Sequence, residues 1–353
     1  MNNLYSIETN KEASFLPTKS SSISLEILTE FNLSSCVSIS KVDKLNTGSL
    51  IYKVVCHNES FILRGSFFEN VDTLESQCVV ANFLPKKLFL RPILSIHNQY
   101  VFEFDGLLWL AYKMIDGHQF SGNLNQLTSI LSNTIQMQKG LDFAYKNVDK
   151  ANINCLTRVK YSTHKWIDIV DWLSGDIEND IHFNLMLNVP EYIKIYFKVN
   201  RKKIISMINL VSNLNLDHTI VHYDLQHANI LINNDDIHCV DIEDIVVSDK
   251  RISIFHGIFK WVRHCIYVNN ASYDDAIKWL NGDCIHMLEK EFQCKITLEY
   301  IGHYALFKVY SDLYLLLFNL IHCGKGELEY DLLKKIHNIF EIEDLFLNKD
   351  KLR

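Results

Sequence analysis

The spacing of apolar residues changes once along this chain, and that change limits the folds open to it. In the first third, apolar and polar residues alternate, as in residues 37–40, where Val and Ile alternate with Ser. Alternation predicts strands, and a connection as short as Asp105-Gly106 favours an antiparallel hairpin. After Asp116-Gly117, apolar residues recur every three or four positions, which predicts helices. We therefore expect an α+β chain with a strand-rich part followed by a mainly helical part.

One helix is predicted inside the strand-rich part, over residues 70–84, where apolar residues lie three and four apart and Pro85 ends the pattern. Four further helical patterns cover 192–211, 272–292, 297–323 and 328–340. No flexible linker separates the two parts. The boundary is therefore expected to be a short hinge, with one domain over 1–116 and a second over 117–353.

Charge and cysteine content exclude several classes of protein. The chain has 35 Lys and Arg against 42 Asp and Glu, a net charge of −7, which disfavours nucleic acid as a partner. Its most apolar segment, residues 313–321, is about half the length that a membrane span requires. The nine cysteines are scattered, without a Cys-x-x-Cys pair, which argues against a disulfide framework or a zinc ribbon. The N-terminus also lacks a signal-peptide pattern, so we expect a cytoplasmic protein without a membrane partner. We expect it to be a monomer or a homodimer.

A strand-rich island among the helical patterns carries the polar residues of most interest. Asp224 and Asn229, five positions apart, bracket a loop that enters a strand, and Asp241 ends the next strand. Because a hairpin returns to the edge from which it started, Asp241 is expected beside Asn229, with Asp224 at the mouth of the same site. Each of these residues is also a common turn former. Their joint placement between apolar strands favours a functional site.

Phosphoryl transfer requires this combination of groups. A carboxylate orients and deprotonates the acceptor hydroxyl, and hard oxygen ligands hold the magnesium ion that bridges the nucleotide phosphates. Asp224 would be the base, and Asn229 with Asp241 the metal ligands. His222 is expected to be structural, since the carboxylate already fills the role of the base.

The same residues resemble a known family. The string His222-x-Asp224-x4-Asn229, followed by Val-Asp241-x-Glu243, is similar to the aminoglycoside phosphotransferase and choline kinase superfamily. That resemblance implies a two-lobed protein-kinase-like fold, with an antiparallel-sheet N-lobe and a mainly helical C-lobe. It also implies that Asp224 is the catalytic base and that Asn229 and Asp241 bind Mg²⁺.

The resemblance extends upstream to a nucleotide site. Residues 45–54, with Gly48, look like the hairpin that covers the nucleotide, and Arg64 falls where the family has a phosphate-contacting cation. Residues 112–117, with Met114 and Asp116, resemble the hinge whose backbone receives adenine. The implied activity is an ATP- or GTP-dependent phosphotransferase. Its acceptor would be a hydroxyl of a small molecule: an aminoglycoside-like antibiotic, or an amino alcohol, sugar or homoserine-type metabolite.

Two departures from the family pattern leave alternatives open. Where the family has a helix glutamate that pairs with the strand cation, this chain has Gln77, with Glu75 two residues earlier, so either is a candidate partner for Arg64. This departure keeps open a pseudokinase that binds nucleotide as a regulator or scaffold. A regulated protein kinase is disfavoured, because Tyr223 precedes Asp224 where protein kinases have Arg, and Asp-Ile-Glu replaces Asp-Phe-Gly.

Acidic residues in the helical part suggest a hypothesis about the acceptor, namely that it is positively charged. If these carboxylates line the acceptor side, they favour a cationic, amine-bearing acceptor. The alternative is that they form solvated helix faces. The residues concerned are Asp168, Asp171, Asp176, Glu178, Asp180, Asp274, Asp275 and Asp283.

Overall fold

Five strands and two helices form the N-terminal part of the described chain. The computed structural model describes residues 23–42, 49–67, 70–157, 163–174, 190–233, 236–323 and 329–348. The elements of the N-terminal part are α1 (Leu25–Glu30), β1 (Ser38–Lys41), β2 (Ser49–Val55), β3 (Ser60–Ser66), α2 (Val71–Ala81), β4 (Phe102–Phe104) and β5 (Leu107–Lys113).

The five strands form one antiparallel sheet in the order β1-β2-β3-β5-β4. Between β4 and β5 the backbone turns at Asp105 and Gly106, whose φ angles are 52° and 73°. Two successive positive φ angles match the right-handed twist of the strands in a two-residue hairpin. The hairpin predicted at Asp105-Gly106 is confirmed.

Strand β5 is buried on both faces, which explains its nearly continuous apolar sequence. Trp109 and Ala111 pack in a cluster with helix α1, whereas Leu108 and Leu110 face the larger core that contains helix α2. Helix α2 begins after Asn70, whose side chain accepts a hydrogen bond from the amide of Thr73 at 3.1 Å. The helix predicted over 70–84 is confirmed, with its last three positions in a turn.

Helices form most of the C-terminal part. Its elements are β6 (His118–Gln119), α3 (Leu127–Asn147), α4 (Lys150–Cys155), α5 (Thr163–Leu173), α6 (Glu191–Ser212), β7 (His218–His222), β8 (Ile230–Asn233), β9 (Asp236–Cys239), β10 (Ile245–Asp249), α7 (Lys250–Tyr267), α8 (Tyr273–Trp279), α9 (Ile285–Phe292), α10 (Leu298–Cys323) and α11 (Glu329–Ile342). The predicted helices are confirmed, and the one over 272–292 contains a π-helical turn, Leu280–Cys284. None of the described helices combines the length and apolarity needed to cross a bilayer.

Two small sheets lie among these helices. Strands β6, β8 and β9 form one, and β7 pairs with β10 in the other, in both cases antiparallel. The chain after α2 reaches this region as well: the Leu90 amide donates to the Cys239 carbonyl at 3.0 Å, and the Cys239 amide donates to the Leu88 carbonyl at 2.9 Å. The N-terminal part is therefore bonded directly to the β8–β9 hairpin.

Candidate active site

The β8–β9 hairpin brings the residues on either side of it together. In its register Ile230 faces Cys239, and one residue further out the Val240 amide donates to the Asn229 carbonyl at 3.0 Å. Asp241 is the next residue along the chain. The hairpin return predicted from the sequence is confirmed.

The side chain of Asn229 connects the hairpin to the loop that carries Asp224. Asn229 is 7% exposed, and its Nδ2 donates to the Asp224 carbonyl at 2.9 Å. Because this bond uses the amide nitrogen, Oδ1 is the atom left to bind a further group. The Asp224 side chain lies half-buried at the edge of the same loop.

His222 joins the strand before Asp224 to the residue before Asp241. Its ring is fully buried, and Nε2 donates to the Val240 carbonyl at 2.9 Å. The ring also meets Phe89 edge-on, with ring centroids 6.0 Å apart. These contacts match the structural role expected for His222.

Asp241 has an unusual backbone conformation. Its φ and ψ are 77° and 78°, in the left-handed region, which costs a residue other than glycine about 1 kcal/mol or more. A 3-10 turn, Ile242–Asp244, follows it, and the Tyr223 amide donates to the Asp244 carbonyl at 2.7 Å. The hydrogen bond from Tyr223 holds this turn against the loop that carries Asp224.

Arg64, on strand β3, lies beside Asp241. Its Nη1 is 2.9 Å from Asp241 Oδ1, and its Nη2 is 2.7 Å from Glu243 Oε2. Ser66 donates to the other oxygen of Glu243 at 2.9 Å. Although burial lowers the pKa of Arg64, the two carboxylates outweigh it and raise that pKa above its ordinary value. The strand cation is thus held by the turn that begins at Asp241.

Neither partner considered for Arg64 from the sequence is correct. Gln77 is 1% exposed, and its Nε2 donates to the carbonyls of Glu243 and Ile245 at 2.7 and 3.0 Å. Glu75 Oε1 instead accepts from the amides of residues 100 and 101, at 2.9 and 2.8 Å. Spacing along helix α2 could not reveal this, because the partner of Arg64 comes from the C-terminal part of the chain.

The segment predicted to receive adenine leaves β5. The Met114 amide donates to the Ser60 carbonyl at 2.8 Å, so only its carbonyl remains for a ligand. Asp116 is exposed. The amides of residues 115 and 116 donate to no acceptor in the described part of the protein. Gly48 lies in 43–48, outside the described residues.

Helix α7 forms a wall along the loop that carries Asp224. Trp261 Nε1 donates to the Leu225 carbonyl at 2.6 Å, and the rings of His227 and His264 stack with centroids 3.9 Å apart. Gly257 permits this approach, because an added Cβ would lie 3.0 Å from the Cβ of Leu225. The residues that α7 presents here were not predicted, since nothing in the sequence says which face of this helix meets the loop.

Several ionisable groups on this side have shifted pKa values. Burial, followed by His264 and the cations Lys260, Arg263 and Lys334, lowers the pKa of His227 to about 4. Burial and neighbouring cations hold the pKa of Lys260 well below its ordinary range, and Asp224 opposes them. The loop at Asp224 therefore lies in a positively charged surrounding.

Among the described residues, no group of three or more His, Cys, Asp or Glu side chains is placed to hold a metal ion. The two predicted ligands are one amide and one carboxylate. Such a pair fits Mg²⁺, which commonly binds through one or two protein oxygens together with phosphate oxygens and water.

Small-molecule kinases of known structure share this fold. A spectinomycin phosphotransferase in complex with ADP and spectinomycin has a TM-score of 0.59 at 12% identity, over 93% of this chain and 97% of that one. An amicoumacin kinase in complex with AMP-PNP and Ca²⁺ has a TM-score of 0.58 at 15% identity, over 86% and 88%. A Plasmodium vivax ethanolamine kinase has a TM-score of 0.55 at 14% identity, over 90% of this chain and 85% of that one.

No protein-family model matches the sequence, and no curated protein is similar enough to match it. At 10–15% identity the structural likeness establishes the fold. The two-lobed protein-kinase-like fold implied by the motifs is confirmed, and the structures that share it include aminoglycoside phosphotransferases and a choline kinase.

Proposed function

We propose that this protein is a small-molecule kinase, which transfers the terminal phosphoryl group of ATP or GTP to a hydroxyl with the help of Mg²⁺. The observation that carries the proposal is the junction of Asp224, Asn229 and Asp241. The Asn229 side chain is bonded to the Asp224 backbone, and the Asn229 backbone is bonded to the residue before Asp241. The comparison proteins, which are kinases of small molecules, support this reading of the fold.

The nucleotide would bind between a lobe formed by residues 1–116 and one formed by 117–353. We expect adenine to accept from the amides of 115 or 116 and to donate to a backbone carbonyl such as that of Met114. Arg64 would contact the phosphates, because a guanidinium fork binds phosphate oxygens in pairs and this one already lies beside Asp241.

Asn229 Oδ1 and the Asp241 carboxylate would hold Mg²⁺. Both are hard oxygen donors, and the hydrogen bond from Asn229 Nδ2 to Asp224 leaves Oδ1 available. The bound ion would supply positive charge to the phosphoryl oxygens as the transfer proceeds.

Asp224 would accept the proton of the acceptor hydroxyl as the acceptor oxygen bonds to phosphorus. The bond from phosphorus to the bridging oxygen breaks, and the nucleoside diphosphate leaves with its electron pair. Hydrogen bonds fix the backbone at this residue and at the next one, from Asn229 to the Asp224 carbonyl and from Trp261 to the Leu225 carbonyl. A positioned base of this kind contributes about a hundredfold or more to the rate.

The test is a phosphorylation screen with ATP or GTP, with and without Mg²⁺. Aminoglycosides, amino alcohols, hydroxy acids and sugars serve as acceptors, and mass spectrometry detects the gain of a phosphoryl group. We expect Asp224→Asn to retain nucleotide binding and lose about a hundredfold in turnover. Asp241→Asn should abolish Mg²⁺-dependent nucleotide affinity. Asp236→Asn, an exposed carboxylate on the same hairpin, is the matched control.

A pseudokinase would give a different result in the same assay. It would bind nucleotide, and nucleotide binding would respond to Asp241→Asn, but no acceptor would gain a phosphoryl group. If Asp224→Asn and Asp241→Asn both turned over like the wild type, the site itself would be assigned wrongly.

A further inference from the structure

The face of helix α7 toward the Asp224 loop carries basic side chains. His256, Lys260 and His264 are four residues apart, so they lie on one face of the helix. That face meets the loop, because His264 stacks on His227. Lys260 also precedes Trp261, whose side chain donates to the carbonyl of the residue after Asp224. Lys260 therefore lies on the side of α7 that packs against the loop of the proposed catalytic base.

Lys260 is buried without a counter-ion. The residue is 8% exposed, and its Nζ lies 5.3 Å from the centre of the Phe259 ring. It forms no hydrogen bond or ion pair with any residue that the structure describes. His256, one turn earlier, is also fully buried, and neither of its ring nitrogens has a hydrogen-bond partner. A buried lysine without a partner loses its proton more easily, and an anionic ligand beside Lys260 would supply the missing partner and favour its charged form.

The other buried or half-buried cations near Lys260 have carboxylate partners. Lys308, which lies 4.1 Å from the centre of the Tyr223 ring, and Lys335 share Asp312, at 2.7 and 2.5 Å. Arg263 pairs with Glu341 at 2.6 Å. Lys260 is thus the buried cation of this group that has no carboxylate among the described residues.

Three of the acidic residues that suggested a cationic acceptor have partners away from the Asp224 loop. Asp171 pairs with Arg201 at 2.8 Å, and Asp168 lies 3.2 Å from His164. Asp283 accepts from Thr128 at 3.2 Å. Asp274 and Asp275 are exposed in the first turn of α8. Asp176, Glu178 and Asp180 lie outside the described residues.

We propose that the acceptor carries an anionic group, a carboxylate or a phosphate, which binds Lys260 beside Asp224. This inference rests on the proposed kinase activity and names the class of its acceptor as a hydroxy acid or a phosphorylated alcohol rather than an amino alcohol. The neighbouring cations Lys334 and Lys335 add to the positive potential at this position, and an anion there would offset the unfavourable burial of the lysine.

The first test uses matched acceptors with the same hydroxyl and a different charge: 3-hydroxybutyrate, 1,3-butanediol and 4-amino-2-butanol, together with glycerol phosphate and glycerol. We expect phosphorylation of the anionic members, and the choice between hydroxybutyrate and glycerol phosphate separates a carboxylate from a phosphate acceptor. Preference for the amine or for the neutral alcohols would overturn the proposal.

The second test does not require turnover. Acetate and methylphosphonate are titrated into the wild type, Lys260→Met and Lys278→Met, with AMP-PNP and Mg²⁺ present, and binding is followed by calorimetry and thermal shift. Lys278 is an exposed lysine on α8 and serves as the control. We expect one probe to bind the wild type and Lys278→Met alike, and to bind Lys260→Met about tenfold or more weakly. Lys260→Arg should restore binding.

Equal binding to wild type and Lys260→Met, or no binding of either probe, would overturn the anion site. If the wild type bound no nucleotide and phosphorylated no acceptor, but still bound the anion through Lys260, the proposed kinase activity would be wrong and the anion site would stand. The two failures are therefore distinguishable.

Discussion

The side-chain amide of Gln77 lies 2.7 Å from the carbonyl oxygen of Glu243. On the other side of the same residue, the Glu243 carboxylate lies 2.7 Å from Arg64. Helix α2 and the strand cation are therefore joined through the turn after Asp241 rather than by a carboxylate on the helix. A displacement of α2 would therefore move the turn after Asp241 and, with it, the side chain of Arg64.

Replacing Gln77 with Leu should loosen this connection. The change removes both donations to buried carbonyls, which should lower the free energy of unfolding by about 1–3 kcal/mol. Denaturant unfolding measures the loss, and Gln99→Leu, on an exposed glutamine, controls for the substitution itself. An unchanged unfolding midpoint in Gln77→Leu would show that these bonds do not hold α2 in place.

Glu243→Gln should lower turnover, whereas Glu75→Gln should not. Glu243→Gln removes the charge that holds Arg64 in place, and turnover should fall about tenfold or more, since a hydrogen bond to a charged group contributes about 1.5–3 kcal/mol. Glu75→Gln keeps an oxygen that can accept from residues 100 and 101, so its kinetics should stay near those of the wild type. Steady-state kinetics of the two variants measures the difference. A larger loss of turnover in Glu75→Gln than in Glu243→Gln would make Glu75 the functional partner of Arg64.

Individual helices and hairpins can be predicted from the sequence, because residues close together in the chain determine them. The short apolar run of β5 next to the turn dipeptide Asp105-Gly106 identifies a hairpin, and apolar spacing identifies α6 and α10. The return of the β8–β9 hairpin follows from chain geometry alone, so the meeting of Asn229 with the residue before Asp241 is predictable.

Contacts between distant parts of the chain could not be predicted in the same way. Arg64 lies 177 residues from Asp241 in sequence, and no local pattern chooses between Glu75, Gln77 and Glu243 as its partner. Strand β10 pairs with β7 across the intervening β8–β9 hairpin rather than with a neighbouring strand in sequence. Lys260 looks like an ordinary helix lysine until the orientation of α7 is known.

Nucleotide binding should protect both lobes together. If AMP-PNP and Mg²⁺ bind between them, amide exchange should slow in residues 60–66, 112–117 and 224–241 at once. Hydrogen-exchange mass spectrometry measures this, and Asp241→Asn should remove the Mg²⁺-dependent part. Protection limited to one lobe would contradict binding in the cleft.

The stacked pair His227 and His264 should make the protein sensitive to acid. The pKa of His227 is about 4 in the folded chain, mainly because of burial, against about 6.5 for an exposed histidine. Between these values the unfolded chain binds a proton that the folded chain does not, so stability should fall as the pH falls from about 6.5 toward 4. Burial lowers the pKa of His264 as well, which acts in the same direction.

His227→Gln isolates this contribution, because other buried histidines remain in both proteins. The melting temperature of His227→Gln should fall less steeply than that of the wild type between pH 7 and about pH 4.5. His57→Gln, at an exposed position, should follow the wild type. If His227→Gln lost stability with acid as steeply as the wild type, His227 would be protonated in the folded state, and its burial, together with the neighbouring cations, would be too weak to exclude a proton.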